Sequence, residues 1–440
     1  MTTDTLFPLP EGNEDPVAAV NTEPRVQRPN RTQLELRAVD LEALWPADHR
    51  ARVVWEFVEG LELGPLYHTI KALEGHAGRA PIDPAILMAL WLYGTLEGVG
   101  SARALARLCE EHDAYRWICG GVSVNYHTLA DFRVAHPEVL DGLLTASVAA
   151  LLAEGLVELT RVAHDGVRVR ASAGGGSFRR GDRLSQCLGA AEAQVAALRE
   201  QGTADPGGGS RRQAAARQRA AEERRRRVAG ALAALPGLEA RRRKAGVKGP
   251  ARMSMTDPEA RVMKMADGGF RPAFNAQLTA TTRGQVIVGV AVTNTGTDQG
   301  QLGPMVEQLQ RRYGRAPGDV LADGGYVDLD DIRAVAGPGC KVYAPPPGFS
   351  DPGRAQRPRW RVDDAIVAEW RQRMGTAEAK GVYGERAATV ECVNALARNR
   401  GLRQFVVRGL RKVRAVLLWF ALAHNLMRAA GLRRAGALAT

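Results

Sequence analysis

Two aspartates that precede glycine carry the first chemical signal in the chain: Asp165–Gly166 and Asp323–Gly324–Gly325. Each stands at or just past the end of a short apolar, β-rich run, VELTRVAHDGVRV and VLADGGY. Carboxylates at a sheet edge can converge although far apart in sequence, and the glycines let backbone and substrate approach closely. A third carboxylate, Glu391, falls on a later helix packed by Val393, Leu396 and Ala397. Glu391, Asn394 and Arg398 share another face at i, i+3, i+7 spacing. Three carboxylates suit two Mg²⁺ ions, because Mg²⁺ prefers hard oxygen ligands and keeps positions for water and phosphate oxygens. Two such ions about 3.5–4 Å apart activate a water or a 3′-hydroxyl and stabilise the leaving oxygen of an in-line phosphoryl transfer. The chain holds 48 acidic residues, so any single Asp–Gly is more often a turn than a ligand. The strand, strand, helix order in a basic chain is what lifts these three.

The 440 residues include 60 Lys+Arg against 48 Asp+Glu, a net charge of +12. That excess points to a polyanion, nucleic acid being the usual one; plain solubility is the competing explanation. At 45% apolar and 25% charged, the chain can build a large core, and its length allows two or three domains of about 150 residues. Five cysteines, an odd number without a CxxC, argue against a disulfide framework and a thiolate zinc site. The longest apolar run, Ala415–Ala423, is short of the ~18–20 residues of a membrane span. The acidic, Pro-bearing N-terminus has no secretory pattern, so a cytoplasmic, nucleoid-associated protein with no membrane partner is the expectation.

The order of elements must position the three acids. Residues 1–24 read as a loose acidic tail and 25–156 as an all-α domain. Asp48 is a candidate cap for HRARVVWEFVEGL, Asp83–Pro84 opens a helix, and Ser101 caps the next after a Gly turn. Helix, Gly turn, helix is the outline of a helix-turn-helix, although a simple hairpin is commoner. Residues 157–430 read as α/β, with an insertion over 171–268, and 431–440 as a tail. Within the insertion, Arg211 to Lys244 hold twelve Lys/Arg and three Glu, a net of +9. The Ala-, Arg- and Glu-rich insertion reads as exposed helices, an antiparallel pair, and the concentration of one charge sign favours phosphate contact over a merely solvated arm. Arg283–Gly284 joins two β-rich runs as a hairpin, and Asp298 is most simply a cap for the helix of Leu302, Met305, Val306 and Leu309. Hairpin strands followed by β–α alternation predict a mixed sheet flanked by helices.

Longer stretches carry a resemblance. APIDPAILMALWLYG, HTLADFR, HDGVRVRASAGGGSFRR, MSMTDPEARVMKMADGGFRPAFNAQ, VLADGGY and YGERAATVECVNALARNRGLRQFVVRGLRKVRAVLLWFALAHNLMR are similar to insertion-sequence transposases of the DDE class. The likeness is to the IS1182 group within the IS4/IS5-like set and spans most of residues 35–430. It implies an RNase H-like mixed-sheet catalytic domain behind an all-α DNA-binding domain. The helical basic insertion would lie between the first and second core strands. It implies Asp165, Asp323 and Glu391 as catalytic and metal ligands for two Mg²⁺, with Mn²⁺ as a substitute. It implies binding of terminal inverted repeats, strand cleavage and strand transfer into target DNA, and a homodimer that pairs the two ends. A decayed or domesticated DNA-binding protein, or an RNase H-like nuclease without strand transfer, are the alternatives.

The family's C-terminal signature falls on Tyr383, Arg386, Glu391 and Arg398. Four residues, not three, separate Arg386 from Glu391, and Arg398 stands for a lysine. In an α-helix the extra residue rotates Arg386 by about 100° from Glu391, which weakens its transfer. Arg keeps the charge and grips phosphate bidentately. Other candidate DNA contacts are Arg103 and Arg107 after the Gly turn, and Arg211, Arg212, Arg224 and Arg225 in the insertion. His164 faces away from Asp165 and reads as structural; Asp257 and Asp267 read as turn residues; Asn275 and Gln277 share one strand face without an assigned role. Trp360 and Trp370 read as packing residues rather than base-stacking platforms.

Overall fold

The computed structural model describes residues 32, 40–72, 80–204, 211–347 and 364–437. Residues 41–440 form one compact unit. Residues 1–40, apart from Thr32 and Asp40, lie outside the described residues, as do Trp360 and the expected acidic tail.

Local capping chemistry sets the N-terminal helices α1 (Arg50–Glu59), α2 (Gly64–Tyr67), α3 (Pro84–Leu96), α4 (Ala102–Glu111), α5 (Asp113–Cys119), α6 (Tyr126–Ala135) and α7 (Pro137–Ala153). Asp83 accepts from the Ala85 amide ahead of Pro84, Ser101 from Ala104 and Asn125 from Thr128. The expected cap Asp48 is corrected to His49, whose ring accepts from the Ala51 amide at 3.2 Å. The helix begins at Arg50, which puts the cap position one residue later than the charge pattern suggests. Nearly every side chain of α3 is buried, so this helix is core rather than surface.

The sheet then begins with β1 (Arg161–Arg170). After it come the short β2 (Phe178–Arg179), helices α8 (Gly181–Ala204) and α9 (Arg211–Lys244), and β3 (Met253–Ser254), which pairs with β2. Arg199 reaches Glu222 at 2.6 Å, and Gly181 lies against Leu235, so α8 and α9 are antiparallel. Their small core is Leu184, Val228, Ala231 and Leu235, closed by Ala251 and Met253. The chain returns through β4 (Arg261–Lys264), β5 (Phe270–Thr281) and β6 (Ile287–Thr293). The last part of the expected insertion is therefore a strand of the main sheet, and the helical part is 181–244.

Helix α10 (Leu302–Tyr313), β7 (Asp319–Leu321), α11 (Leu329–Ala336) and β8 (Lys341–Tyr343) complete the sheet. Its order is β6–β5–β1–β7–β8, with β4 lengthening the outer edge of β5. β5 is antiparallel to β1 and β6, whereas β7 and β8 run parallel to β1. The parallel strands are reached by helical crossovers and the antiparallel pair by a tight turn, as strand direction requires.

Helices α12 (Ala365–Met374) and α13 (Ala377–Arg386), a π-helical turn Ala387–Glu391, α14 (Cys392–Asn399) and α15 (Leu410–Ala437) follow. Trp370 is wholly buried in the core. Helix α15 packs on α3, α6, α7 and β6, so the N-terminal helices and the sheet share one hydrophobic core. It continues beyond Ala423 because buried His424 and Asn425 find main-chain partners: Asn425 exchanges two bonds with Ile287, at 2.8 and 2.7 Å. Contrary to the sequence expectation, this helix is long and apolar enough to cross a membrane by composition, but 67% of the apolar window is buried, as in a core helix. It also runs through most of the expected 431–440 tail.

Candidate active site

The register of β1 against β7 brings the two aspartates together. Val162 pairs with Val320 and Ala163 with Leu321, in parallel. Two residues beyond the Ala163–Leu321 pair lie Asp165, still within β1, and Asp323, just past the end of β7. β7 stops at Leu321, and Asp323 turns the chain by accepting from the Gly325 amide at 2.7 Å. Strand β1 therefore loses that neighbour until Arg170 bridges to Gln404. A cleft of about 890 Å³ opens along this stretch, lined by Asp165, Arg168, Arg170, Lys264, Arg398 and Arg403. Of the three candidate carboxylates, Asp165 alone lines it.

Asp165 is held in place from two sides. Its Oδ1 accepts from the Gly166 amide at 2.9 Å and its Oδ2 from Asn394 Nδ2 at 3.0 Å. Burial pushes its pKa up to about 6; Arg386 opposes this and the charge of Asp323 adds to it. The sign of the pH effect follows. The protonated form is favoured in the folded state, so this stabilisation is complete below pH ~4 and is lost as pH rises through about 6. We expect urea unfolding of the metal-free protein to show falling stability across that window, and Asp165→Asn to remove that component.

Glu391 ends the π-helical turn and is about half exposed. Its Oε1 accepts from Arg386 Nη2 at 2.5 Å, and Arg386 Nη1 lies 3.9 Å from Asp165 Oδ2. The extra residue between Arg386 and Glu391 is thus absorbed: an i→i+5 turn realigns side chains that an α-helix would splay. The expected rotation of Arg386 away from Glu391 is corrected accordingly. Arg386 bridges two of the three carboxylates. Burial opposes its charge, but Tyr383, Asp165 and Glu391 together hold its pKa above the usual value. Tyr383 lies beneath the guanidinium, with the ring centre 5.9 Å away.

Behind β1 lies a polar network that sequence reasoning missed. Asp298 does not cap α10, whose first amide, Leu302, instead donates to Asp331 at 3.0 Å. Its Oδ1 accepts from Asn275 and Gln277, at 2.7 and 2.9 Å, and its Oδ2 from Arg168 at 2.9 Å. Tyr326 donates to Gln277 and stacks edge-on against His164, which is fully buried and bonded to Thr279 at 2.8 Å. Burial pulls the His164 pKa down to about 4, so the ring is neutral and structural. Asp298→Asn should cost about 2 kcal/mol by weakening three charge-assisted bonds, one of them to a cation. Chemical denaturation of the variant measures this.

The remaining candidates divide by location. Arg398 lies at the Asp165 cleft and donates to the Asn394 carbonyl at 3.3 Å. Among the described residues, Arg170, Lys264, Arg398 and Arg403 form no ion pair, which leaves four cations beside Asp165 without acidic partners there. Arg103 sits 5.0 Å over the Tyr126 ring, and Arg107 pairs with Glu111 on the exposed face of α4. Arg211 is exposed, and the side chain of Arg212 lies outside the described residues. Arg224 donates to Gln194 at 3.4 Å and Arg225 to Glu222 at 3.0 Å, both on the α8–α9 hairpin. None of these six lines the cleft. Asp257 is buried and ties the turn before β4 to Gly409, while Asp267 pairs with Arg271. Asn394 was visible only as a residue three positions after Glu391.

Among the described residues no group of three or more His, Cys, Asp or Glu is arranged to hold a metal ion. Asp165 and Asp323 do supply hard oxygen donors side by side, with a mutual repulsion that a cation would relieve. Glu391 is paired with Arg386.

Comparison with known proteins adds two matches. Residues 39–135 match the family Transposase domain (DUF772), and residues 354–430, which include Tyr383, Arg386, Glu391 and Arg398, match the family Transposase DDE domain. Comparison with curated proteins and with solved structures gives no significant match. These two family matches, at residues 39–135 and 354–430, support an insertion-sequence transposase of the DDE class.

Proposed function

We propose that this protein binds the ends of its own element, cleaves them in a divalent-metal-dependent reaction and joins the freed 3′-OH to target DNA. One observation carries the reading: Asp165, in a cleft lined by cations, lies close enough to feel the charge of Asp323, which follows the end of the adjacent parallel strand. The strand order, antiparallel on one side of β1 and parallel on the other, supports an RNase H-like core. The IS1182-like group fits the matched families.

Asp165 and Asp323 would hold Mg²⁺, with Glu391 as the third ligand once Arg386 releases it. The metal, with Mn²⁺ as a substitute, would activate the attacking oxygen and stabilise the leaving one. The chain's own residues do the rest. Asn394 fixes the rotamer of Asp165 through a single bond. Arg386 neutralises Asp165 and Glu391 while the metal is away, and Tyr383 supports the guanidinium. Arg170, Lys264, Arg398 and Arg403 offer phosphate contacts along the cleft. Arg103, Arg107, Arg211, Arg212, Arg224 and Arg225 would contact DNA outside it, and two copies would bring two ends together.

The test is a joining assay with the full chain, Mg²⁺ and labelled DNA bearing the element's ends. Strand-transfer products support the reading. Cleavage without joining would favour a nuclease, and binding without cleavage a DNA-binding protein that has lost its chemistry. Binding should weaken steeply with salt, since each phosphate contact releases counterions.

A further inference from the structure

A second cavity, of about 270 Å³, lies between the turn joining α3 to α4 and residues 400–406, which leave α14. Trp91, Trp419, Arg133, Arg400 and Ser101 are among its walls, and no lining residue is acidic. Arg133 is only 6% exposed. Its guanidinium stacks 4.8 Å above the Trp91 ring and donates to the Gly100 carbonyl. Among the described residues it meets no carboxylate, and burial pulls its pKa down to about 10. Arg400 faces the same space. Its Nη1 is buried with no hydrogen-bond partner among the described residues. Burial and then Arg50 depress its pKa, with Glu97 opposing.

Two like charges lining one small cavity without an acidic residue in its walls is an unbalanced arrangement, since a buried cation is costly unless paired and hydrogen-bonded. A structural role accounts for Arg133 through its ring and carbonyl contacts, but not for Arg400. The walls are preset by main chain. Gly98 (φ +74°) and Gly401 (φ +86°) touch, and a Cβ on Gly401 would stand 3.1 Å from the Gly98 carbonyl oxygen. Ser101 caps α4, so the positive end of a ten-residue helix borders the cavity. Leu402 lines both this cavity and the Asp165 cleft.

We propose that this cavity is a phosphate-binding site, distinct from the Asp165 cleft, in which Arg133 and Arg400 grip one phosphate group. The guanidinium fork matches phosphate oxygens bidentately, and the tryptophan rings shield the contact from water. The phosphate comes either from DNA, a source that rests on the transposase reading above, or from a free phosphate or nucleotide.

The experiment titrates the full chain with inorganic phosphate at constant ionic strength, chloride being the control, and follows tryptophan fluorescence and melting temperature. A saturable response in the millimolar range is expected. Arg400→Gln should weaken it at least tenfold. Without phosphate the same variant should melt no lower than wild type, because it removes an unpaired charge. Arg133→Lys, which keeps the charge but not the fork, should weaken the response several-fold. No response beyond chloride, or an undiminished one in Arg400→Gln, overturns the proposal. A DNA arm then identifies the source. If Arg400→Gln lowers affinity for end-bearing duplex several-fold and flattens the salt slope by about one, the phosphate is DNA's. If DNA binding is unchanged while the phosphate response is lost, the site serves a free phosphate or nucleotide. If wild type binds no DNA at all, the transposase reading fails while the phosphate titration still decides this site.

Discussion

Asp323→Ala is expected to lower DNA cleavage at the element's ends by at least about 10³-fold, while affinity for the same DNA stays near wild type. Losing a preorganised electrostatic group at a reacting centre costs about 10²–10³ even where that group is a single hydrogen-bond donor, and a metal ligand should cost no less. Asp323 is not a buried anchor of the fold: its carboxylate accepts one amide bond, from Gly325 at 2.7 Å. Removing that acceptor costs about 1 kcal/mol, which leaves the protein folded. Asp323→Asn is the sharper variant, because its carbonyl oxygen can still accept from Gly325 while the charge is gone. Loss of cleavage in both variants, with binding kept, assigns the effect to the carboxylate. Wild-type cleavage in either variant would mean that the acids have been wrongly chosen.

Gly166→Ala should be the most damaging single methyl group in the site. Its Cβ would stand 2.6 Å from Asp298 Oδ1, 2.6 Å from Gln277 Nε2 and 2.9 Å from Asn275 Oδ1. The three side chains belong to one hydrogen-bonded network, Gln277 Nε2 and Asn275 Nδ2 both donating to Asp298 Oδ1, so none can retreat alone. Overpacking of this kind costs about 1–3 kcal/mol. Either β1 shifts or the network breaks, and a shift of β1 carries Asp165 with it. A displacement near 1 Å costs about 10²-fold in rate. Cleavage should therefore fall about 10²-fold, and the melting temperature should drop. Asp298→Ala on the Gly166→Ala background should restore part of the stability lost to the clash, since it opens space beside residue 166. A Gly166→Ala protein with wild-type stability and cleavage would show that the strand tolerates the methyl group and that the packing argument is wrong.

Where chemistry is local, the sequence was legible. Asp83 and Ser101 mark helix starts because a side-chain oxygen two or three residues from an orphan amide satisfies it without help from elsewhere. Arg283–Gly284 marks the β5–β6 turn because Gly284 adopts φ +83°. The antiparallel α8–α9 pair was legible in composition, since two Ala- and Arg-rich stretches flank a Pro–Gly break. In the candidate site, residue type and a following glycine pointed to Asp165 and Asp323, although Asp165 lies in the middle of β1 and not at a strand end as expected.

What the sequence by itself determined is therefore the longer elements, the basic hairpin and the three acids to consider, while the short strands inside the expected insertion escaped it. Tertiary structure alone decided their relations. Parallel pairing sets Asp165 beside Asp323, because the register of β1 against β7 depends on contacts between distant segments. Asp298 turns from an expected cap into the acceptor of Arg168, Asn275 and Gln277, a choice made by three partners brought in from β1 and β5. The π-helical turn returns Arg386 to Glu391 and Asp165, which an α-helical count forbids. Periodicity and capping act over a few residues, whereas a buried side chain's partner is chosen by the packing of the whole core.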